Sequence, residues 1–202
     1  MLQEVRTVVS HEPIPAEIAE LIAAGRERVD QYFEQPAKQQ VPGYVPSDFE
    51  EAYRFLESIV DHRLAPGRRF CEWGCGIGVV SLLAAKVGLL SCGIEVEPDL
   101  VETSRELARQ FRLDVEFAEG TFLPPGEAEE FVPGEIAWLR FDGADAWEEL
   151  AMDPREVDIV YAYPWPGEEE AIVDVFESIA ADQTLLITFH GREGMRVRRQ
   201  RR

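Results

Sequence analysis

Apolar residues recur along this chain in two rhythms, and the rhythm changes wherever proline and glycine interrupt it. Ile18, Leu21, Ile22, Val29, Tyr32 and Phe33 keep helical spacing from Pro15, which suits a first helical turn, to about residue 34. A loop marked by Pro36, Pro42, Gly43 and Pro46 follows. Ser47 with Glu50 fits a capping box opening a second helix, with Phe55, Leu56, Ile59 and Val60 on one face and Pro66 and Gly67 at its end. Short apolar runs and helical stretches then alternate. Strands are predicted over Arg68–Glu72, Leu90–Val96, Val115–Ala118, Val157–Ala162 and Thr184–Phe189. Helices are predicted over Gly76–Val87, from Pro98 through Phe111, and over Glu168–Ala180. Ile136–Phe141 reads as an extra strand, Asp145–Met152 as a short helix and Met195–Arg199 as one short edge strand.

Strands separated by helices of this length pair in parallel through right-handed crossovers. The expected fold class is α/β: a doubly wound, mostly parallel sheet with N-terminal helices and a shortened C-terminal end. Residues 1–46 read as a helical extension or lid, and residues 47–202 as the α/β domain. Ligands of such sheets sit outside the carboxyl ends of the strands, near the topological switch point.

Composition narrows this picture. The 202 residues suit one domain, and 46% apolar content with 10% aromatics excludes a disordered chain. No apolar run approaches the roughly 20 residues of a membrane span, and the first ten residues, with Glu4 and Arg6, contain no signal-peptide block. The expectation is a cytoplasmic protein without a membrane partner. Cys71, Cys75 and Cys92 have no zinc-ligand spacing and read as reduced, buried residues, so no metal site is expected. A net charge of −19 repels phosphate backbones and anionic membranes, which disfavours nucleic acid as a partner. The basic end, with Arg192, Arg196, Arg198, Arg199, Arg201 and Arg202, reads as a solvated arm pairing with the protein's own acidic surface.

The chemistry concentrates in Phe70 to Gly78, FCEWGCGIG, which puts Gly74, Gly76 and Gly78 between a strand and a helix. Glycines there let the backbone turn tightly and approach a ligand, and the helix start offers free amides. Dinucleotide loops place a glycine where Val79 stands, and a carboxylate such as Glu72 would repel pyrophosphate yet suit an ammonium group. The next strand ends in Glu95-Val96-Glu97, where an acid can accept both hydroxyls of a ribose. Glu95 fits the strand end better than Glu97.

The segments FCEWGCGIGVVSLLAAKVG and GIEVEPDLVETSRELA resemble the first two motifs of class I (Rossmann-like) S-adenosylmethionine-dependent methyltransferases, a likeness that covers roughly Arg68 to His190. The resemblance implies that Glu72, Gly74, Cys75, Gly76 and Gly78 line the methionine part of that cofactor, that Glu95 holds the ribose and that Val96 lies beside the adenine. In FAEGTFLP the family usually shows an acid after the glycine; here Thr121 follows Gly120, leaving backbone atoms, Thr121 or Glu119 for the adenine. After the fourth strand, Tyr163-Pro164-Trp165-Pro166 partly resembles the Asn/Asp-Pro-Pro-aromatic motif of amino-group methyltransferases. Tyr163 replaces the acceptor residue, which argues against an adenine or glutamine-amide nitrogen as target. Trp165 is expected to wall the pocket between its two prolines. His190, at the end of the fifth strand, is the one histidine near the expected cleft; Tyr163, Trp165 and His190 are the catalytic candidates, and Tyr44 is a candidate to close over the cofactor.

The family also adds a final helix and an antiparallel strand pair after the fifth strand, for which about a dozen residues after His190 do not suffice. A second subunit covering the open edge, a homodimer, is one expected consequence. The function implied is S-adenosylmethionine-dependent methyl transfer to a small-molecule or protein acceptor. A non-catalytic module of the same fold is the alternative, and a nicotinamide-dependent oxidoreductase a weaker one.

Overall fold

The computed structural model describes residues 1–34, 45–123, 143–165 and 167–202. Strand β1 (Leu2–Glu4) precedes helices α1 (Ala16–Glu34) and α2 (Phe49–Asp61). Then β2 (Arg69–Trp73), α3 (Val79–Lys86), β3 (Leu90–Glu95), α4 (Pro98–Phe111) and β4 (Glu116–Glu119) alternate. The chain continues through α5 (Ala146–Glu149), β5 (Ile159–Ala162), α6 (Glu169–Ile179), β6 (Leu185–Phe189) and β7 (Met195–Gln200). Tyr44 and the strand expected over Ile136–Phe141 lie outside the described residues.

Among the described residues the strands form one seven-stranded sheet in the order β1-β7-β6-β5-β2-β3-β4. The five from β6 to β4 run parallel, while β7 and β1 are antiparallel to their neighbours. The chain first builds outward from β2 to β4, then lays β5 on the other flank of β2. The switch point therefore falls between β2 and β5, with Glu72 opposite Tyr161 and Trp73 opposite Ala162.

Side chains alternate across the strands, which sorts the core by face. Phe70, Ile159, Tyr161, Leu185 and Ile187 pack beneath α1 to α4. Cys71, Trp73, Ile94, Val160 and Leu186 pack against α5 and α6. Helix α3 is buried along its length from Val79 to Ala84, because α1 and α2 cover the side that the sheet does not. The close approach explains a glycine inside α1: a Cβ on Gly25 would stand 2.6 Å from a Val79 methyl. Leu21, Leu56, Leu82 and Leu83 are wholly buried here, and truncating any one to alanine costs about 2–5 kcal/mol.

Four expectations need correction. The cap of α2 is Asp48, whose carboxylate accepts from the amides of Glu50 (3.1 Å) and Glu51 (3.0 Å); Ser47 is turned elsewhere. Helix α3 begins at Val79, not Gly76, because Gly74, Gly76 and Gly78 all have positive φ, which no right-handed helix accommodates. The antiparallel pair is present after all, since β7 follows β6 and the N-terminal β1 supplies its partner, Leu2 opposite Gln200 and Glu4 opposite Arg198. That edge of β7 is thus covered by the chain itself, which removes the observation that suggested a second subunit there. The arginine-rich end is in part this strand rather than a solvated arm, with Arg196, Arg198 and Arg199 on β7 and Arg201 and Arg202 exposed just beyond it. Arg199 donates to the Leu64 carbonyl (2.7 Å), Arg201 to Gln3 and Gln183, and among the described residues only Arg196 of these has an acidic side-chain partner, Glu193 (2.8 Å).

The segment expected as an extension or lid contributes β1 to the sheet and α1 to the core shared with α2 and α3. Among the described residues no helix is long and apolar enough to cross a membrane. None of their His, Cys, Asp and Glu side chains gathers in threes to hold a metal ion, and all three cysteines are buried and unpaired by disulfides.

Candidate functional site

At the carboxyl end of β2 the backbone leaves the sheet through three left-handed glycines, Gly74 (φ 68°), Gly76 (φ 55°) and Gly78 (φ 73°). The first bend keeps some sheet pairing, because the Cys75 amide donates to the Ile94 carbonyl (2.9 Å). The Cys75 side chain settles over Gly93, where a Cβ would meet its sulfur at 2.8 Å. Gly78 is required twice, by its φ and by packing: a Cβ would stand 2.5 Å from the Phe117 ring and 2.7 Å from Ser104. Gly74 differs. Among the described residues a Cβ there would meet nothing within 4 Å, so its bare backbone faces open space.

Two glutamates hold this loop from opposite sides. Glu72, 5% exposed, accepts from Ser81 twice at Oε2, from the amide (2.8 Å) and the hydroxyl (2.6 Å). Gly78 gives α3 no side-chain cap, so Glu72 satisfies a free amide of the helix start from below. Burial pushes the Glu72 carboxyl up to about 8, with the Ser81 hydrogen bonds opposing the rise and the field of Glu95 adding to it. Glu95, 8% exposed, accepts from the Gly76 amide at Oε2 (2.8 Å) and from the amides of Val96 (2.8 Å) and Glu97 (3.1 Å) at Oε1. Its carboxyl also lies above the usual range because burial outweighs those three donors. The acid expected to face a sugar is already the clasp between the β3 end and the glycine loop, with roughly one of its four lone-pair positions left over.

The third strand end is arranged less openly. Glu119 is exposed and opposite Glu95 in register, its amide donating to Glu149 (3.0 Å). The Gly120 amide donates to the Glu95 carbonyl (2.9 Å), and a Cβ on Gly120 would collide with the Ala144 carbonyl oxygen at 2.2 Å. Thr121 is buried and its hydroxyl accepts from the Leu123 amide (3.2 Å). Val96 is half-buried just beyond β3.

Between the ends of β2 and β5 lies a crevice walled by Glu72, Gly74 and Cys75 on one side and by Tyr161 and Tyr163 on the other, with Val45 to Ser47 and Phe49 across it. Tyr161 is fully buried and donates from Oη to Ser47 Oγ (2.8 Å), fastening the segment before α2 over the switch point. Tyr163 packs edge-on against Phe189 at 4.8 Å between ring centroids.

The three catalytic candidates each meet different partners. Tyr163 lines the crevice on the face that carries Tyr161 and Phe189. The His190 ring instead meets the Thr188 hydroxyl (2.8 Å), and Thr188 alternates onto the opposite face with Leu186. Burial and the neighbouring Arg196 hold that imidazole below its ordinary value. Trp165 is half-buried beyond the strand, its amide donating to Glu168 (3.0 Å). Ser47, Tyr161 and Ser81 were not anticipated at the site. For Tyr161 the signal existed, since its spacing of two from Tyr163 puts both rings on one face; Ser47 carried none.

No protein-family model matches the chain. Part of it is similar to ribosomal protein L11 methyltransferases. The match is 33% identical over 76 residues to that of Ralstonia nicotianae, covering 34% of this chain and 26% of the relative. For that of Cupriavidus necator it is 35% over 66 residues, covering 32% and 22%. The match thus spans about a quarter of the length of these curated relatives. Solved structures match over much more of the chain. A methyltransferase from Geobacter sulfurreducens superposes with a TM-score of 0.55 at 14% identity, covering 94% of this chain and 92% of that one. An RNA methyltransferase from Salinibacter ruber in complex with S-adenosyl-L-homocysteine gives 0.51 at 20%, covering 77% and 92%. An O-methyltransferase from Bacillus cereus in complex with the same compound gives 0.54 at 15%, covering 88% and 67%. Sheet order, switch point and these superpositions agree: the chain has the Rossmann-like fold of the methyltransferases.

Proposed function

We propose that this chain binds S-adenosylmethionine over its glycine loop and transfers the methyl group to a small-molecule or protein acceptor. One observation carries the reading. Glu72 is a buried carboxyl group on the crevice wall without a cation among its partners in the described residues, and beside it the open face of Gly74 leaves room for a ligand. A zwitterionic ligand with an ammonium group supplies the missing charge, whereas a pyrophosphate would meet two buried acids.

S-adenosylmethionine, when bound, supplies a methyl group made electrophilic by its sulfonium. In this reading Glu72 receives the ammonium while Gly74, Cys75, Gly76 and Gly78 offer backbone without side-chain obstruction. Glu95 keeps the loop in place and has one remaining acceptor position for a ribose hydroxyl, with Val96 alongside. The Thr121 hydroxyl accepts from Leu123 but keeps its own proton, and the amides of Gly120 and Thr121 already donate to the carbonyls of Glu95 and Ala144, so the adenine contact is left to the Thr121 hydroxyl, a backbone carbonyl or Glu119. Tyr163 walls the acceptor side, and rate comes from holding a nucleophile in line with the methyl group rather than from a base. His190 leans toward the other face and has no part in this scheme. The name of the curated relatives favours testing ribosomal proteins among the acceptors. The net charge of −19 argues against RNA.

Titration calorimetry with S-adenosylhomocysteine tests the reading. Low-to-mid micromolar binding is expected, lost in Gly76→Val and absent for NAD and NADP. Binding of NAD in place of S-adenosylhomocysteine would overturn it. A second reading, a binding module without turnover, draws on Thr121 in place of the expected acid. Cofactor binding with no methyl transfer to protein or small-molecule pools would favour it.

A further inference from the structure

Ser81 stands on the third residue of α3, fully buried, and both of its donors end on the same oxygen of Glu72. The hydroxyl also lies 3.3 Å from the Cys92 carbonyl, but the 2.6 Å contact to Oε2 takes its proton. Ser81 is itself held in place, because its carbonyl accepts from the Ser91 hydroxyl (2.7 Å). Oε1 of Glu72 receives no donor from the described residues, and Glu72 lines the crevice.

A carboxyl group with two donors on one oxygen must carry its own proton on the other. When the group ionises, its two oxygens share the charge, Oε2 keeps both Ser81 donors, and the oxygen open to an incoming cation is again Oε1. The groups around Glu72 make the proton hard to lose without such a cation. Among the described residues, Glu95 from β3, Tyr161 from β5, Cys75 from the loop and Cys71 from β2 are its titratable neighbours, and none of them is positively charged at neutral pH.

We infer that Ser81 is a positioning residue of this site: by occupying Oε2 it directs the proton of Glu72 to Oε1, where the ammonium group of an entering ligand displaces it to solvent. The inference rests on the proposed cofactor reading, and it makes ligand capture a proton-releasing step. The balance is simple. One O–H bond at Oε1 is broken, the proton passes to buffer, and an ion pair replaces it.

Two measurements test this. Carbon-13 NMR of the ligand-free protein, with the Glu72 carboxyl assigned by its absence in Glu72→Gln, reports the titration directly. Ser81→Ala is expected to move that midpoint upward by about one pH unit, a tenfold gain in proton affinity, since a donor to the ionised form is lost. A midpoint unmoved by Ser81→Ala overturns the positioning role whatever the ligand proves to be. Calorimetry with S-adenosylhomocysteine at pH 7, in buffers of different ionisation enthalpy, is expected to show close to one proton released per ligand in the wild type and none in Glu72→Gln. Binding by the wild type without proton release rejects the coupling and leaves the cofactor reading intact. No binding at any pH rejects the cofactor reading, while the NMR shift still decides the role of Ser81.

Discussion

Arg105 and Glu149 close the outer edge of β4 as a pair: the guanidinium donates to the Phe117 carbonyl (2.6 Å), the carboxylate accepts from the Glu119 amide (3.0 Å), and the two side chains meet at 2.9 Å. Backbone groups on this edge are thereby met by side chains, which blunts a surface that would otherwise pair with another chain. A double-mutant cycle of Arg105→Ala and Glu149→Ala is expected to give a coupling of about 0.5–1 kcal/mol, smaller at high salt because both groups are partly exposed. Greater self-association of Arg105→Ala in light scattering is the companion outcome. A coupling near zero together with unchanged association would show that the pair has no such role.

Stability should fall as the pH rises toward 8. The Glu72 carboxyl, near 4.5 in an unfolded chain, is pushed up to about 8 by burial, so between those limits the native state binds the extra proton. Stability that is complete below the lower limit is then lost through the upper one, by up to ~1.4 kcal/mol per pH unit, and Glu95 acts in the same direction. Urea denaturation from pH 5 to 8 checks this. The wild type should lose stability relative to Glu72→Gln across the series, and a constant difference between the two would contradict it.

The glycines of the loop should separate by their surroundings. Gly74→Ala adds a side chain to open space and is expected to cost about 1–2 kcal/mol for the left-handed backbone alone. Gly78→Ala drives a Cβ into Phe117 and Ser104 as well and should cost roughly 3 kcal/mol or more. Thermal denaturation orders the two. Ligand binding should be the more sensitive readout for Gly74→Ala, since its Cβ would stand in the crevice.

Removing residues 1–5 should uncover β7. Strand β1 covers that edge, and the Val5 amide extends the pairing to the Val197 carbonyl (2.8 Å). A lower melting temperature and concentration-dependent association are expected from calorimetry and sedimentation. A truncated chain as stable and as monodisperse as the full one would mean that β1 is ornamental.

The parallel α/β order was legible in the chain because each helix and strand is amphipathic, or uniformly apolar, on its own scale. Pro98 at the start of α4 and the three glycines after β2 marked their boundaries locally. The loop itself was legible for the same reason: Glu72, three glycines and Glu95 carry chemistry that neighbouring residues impose. The edge of the sheet was not. The pairing of Leu2 with Gln200 joins opposite ends of the chain, and three residues of strand have too little pattern to announce themselves.

What the sequence by itself determined is therefore the alternation of elements, the glycine turn and the pair of acids that flank it, all set by short-range sterics and hydrophobic periodicity. Tertiary structure alone decided how those acids are used. Only folding brings Ser81 beneath one oxygen of Glu72, closes Glu95 on the Gly76 amide, ties Ser47 to Tyr161 and sets the His190 ring against Thr188. Hydrogen-bond partners and the face a strand-end residue points to depend on packing between distant segments, which no local pattern encodes.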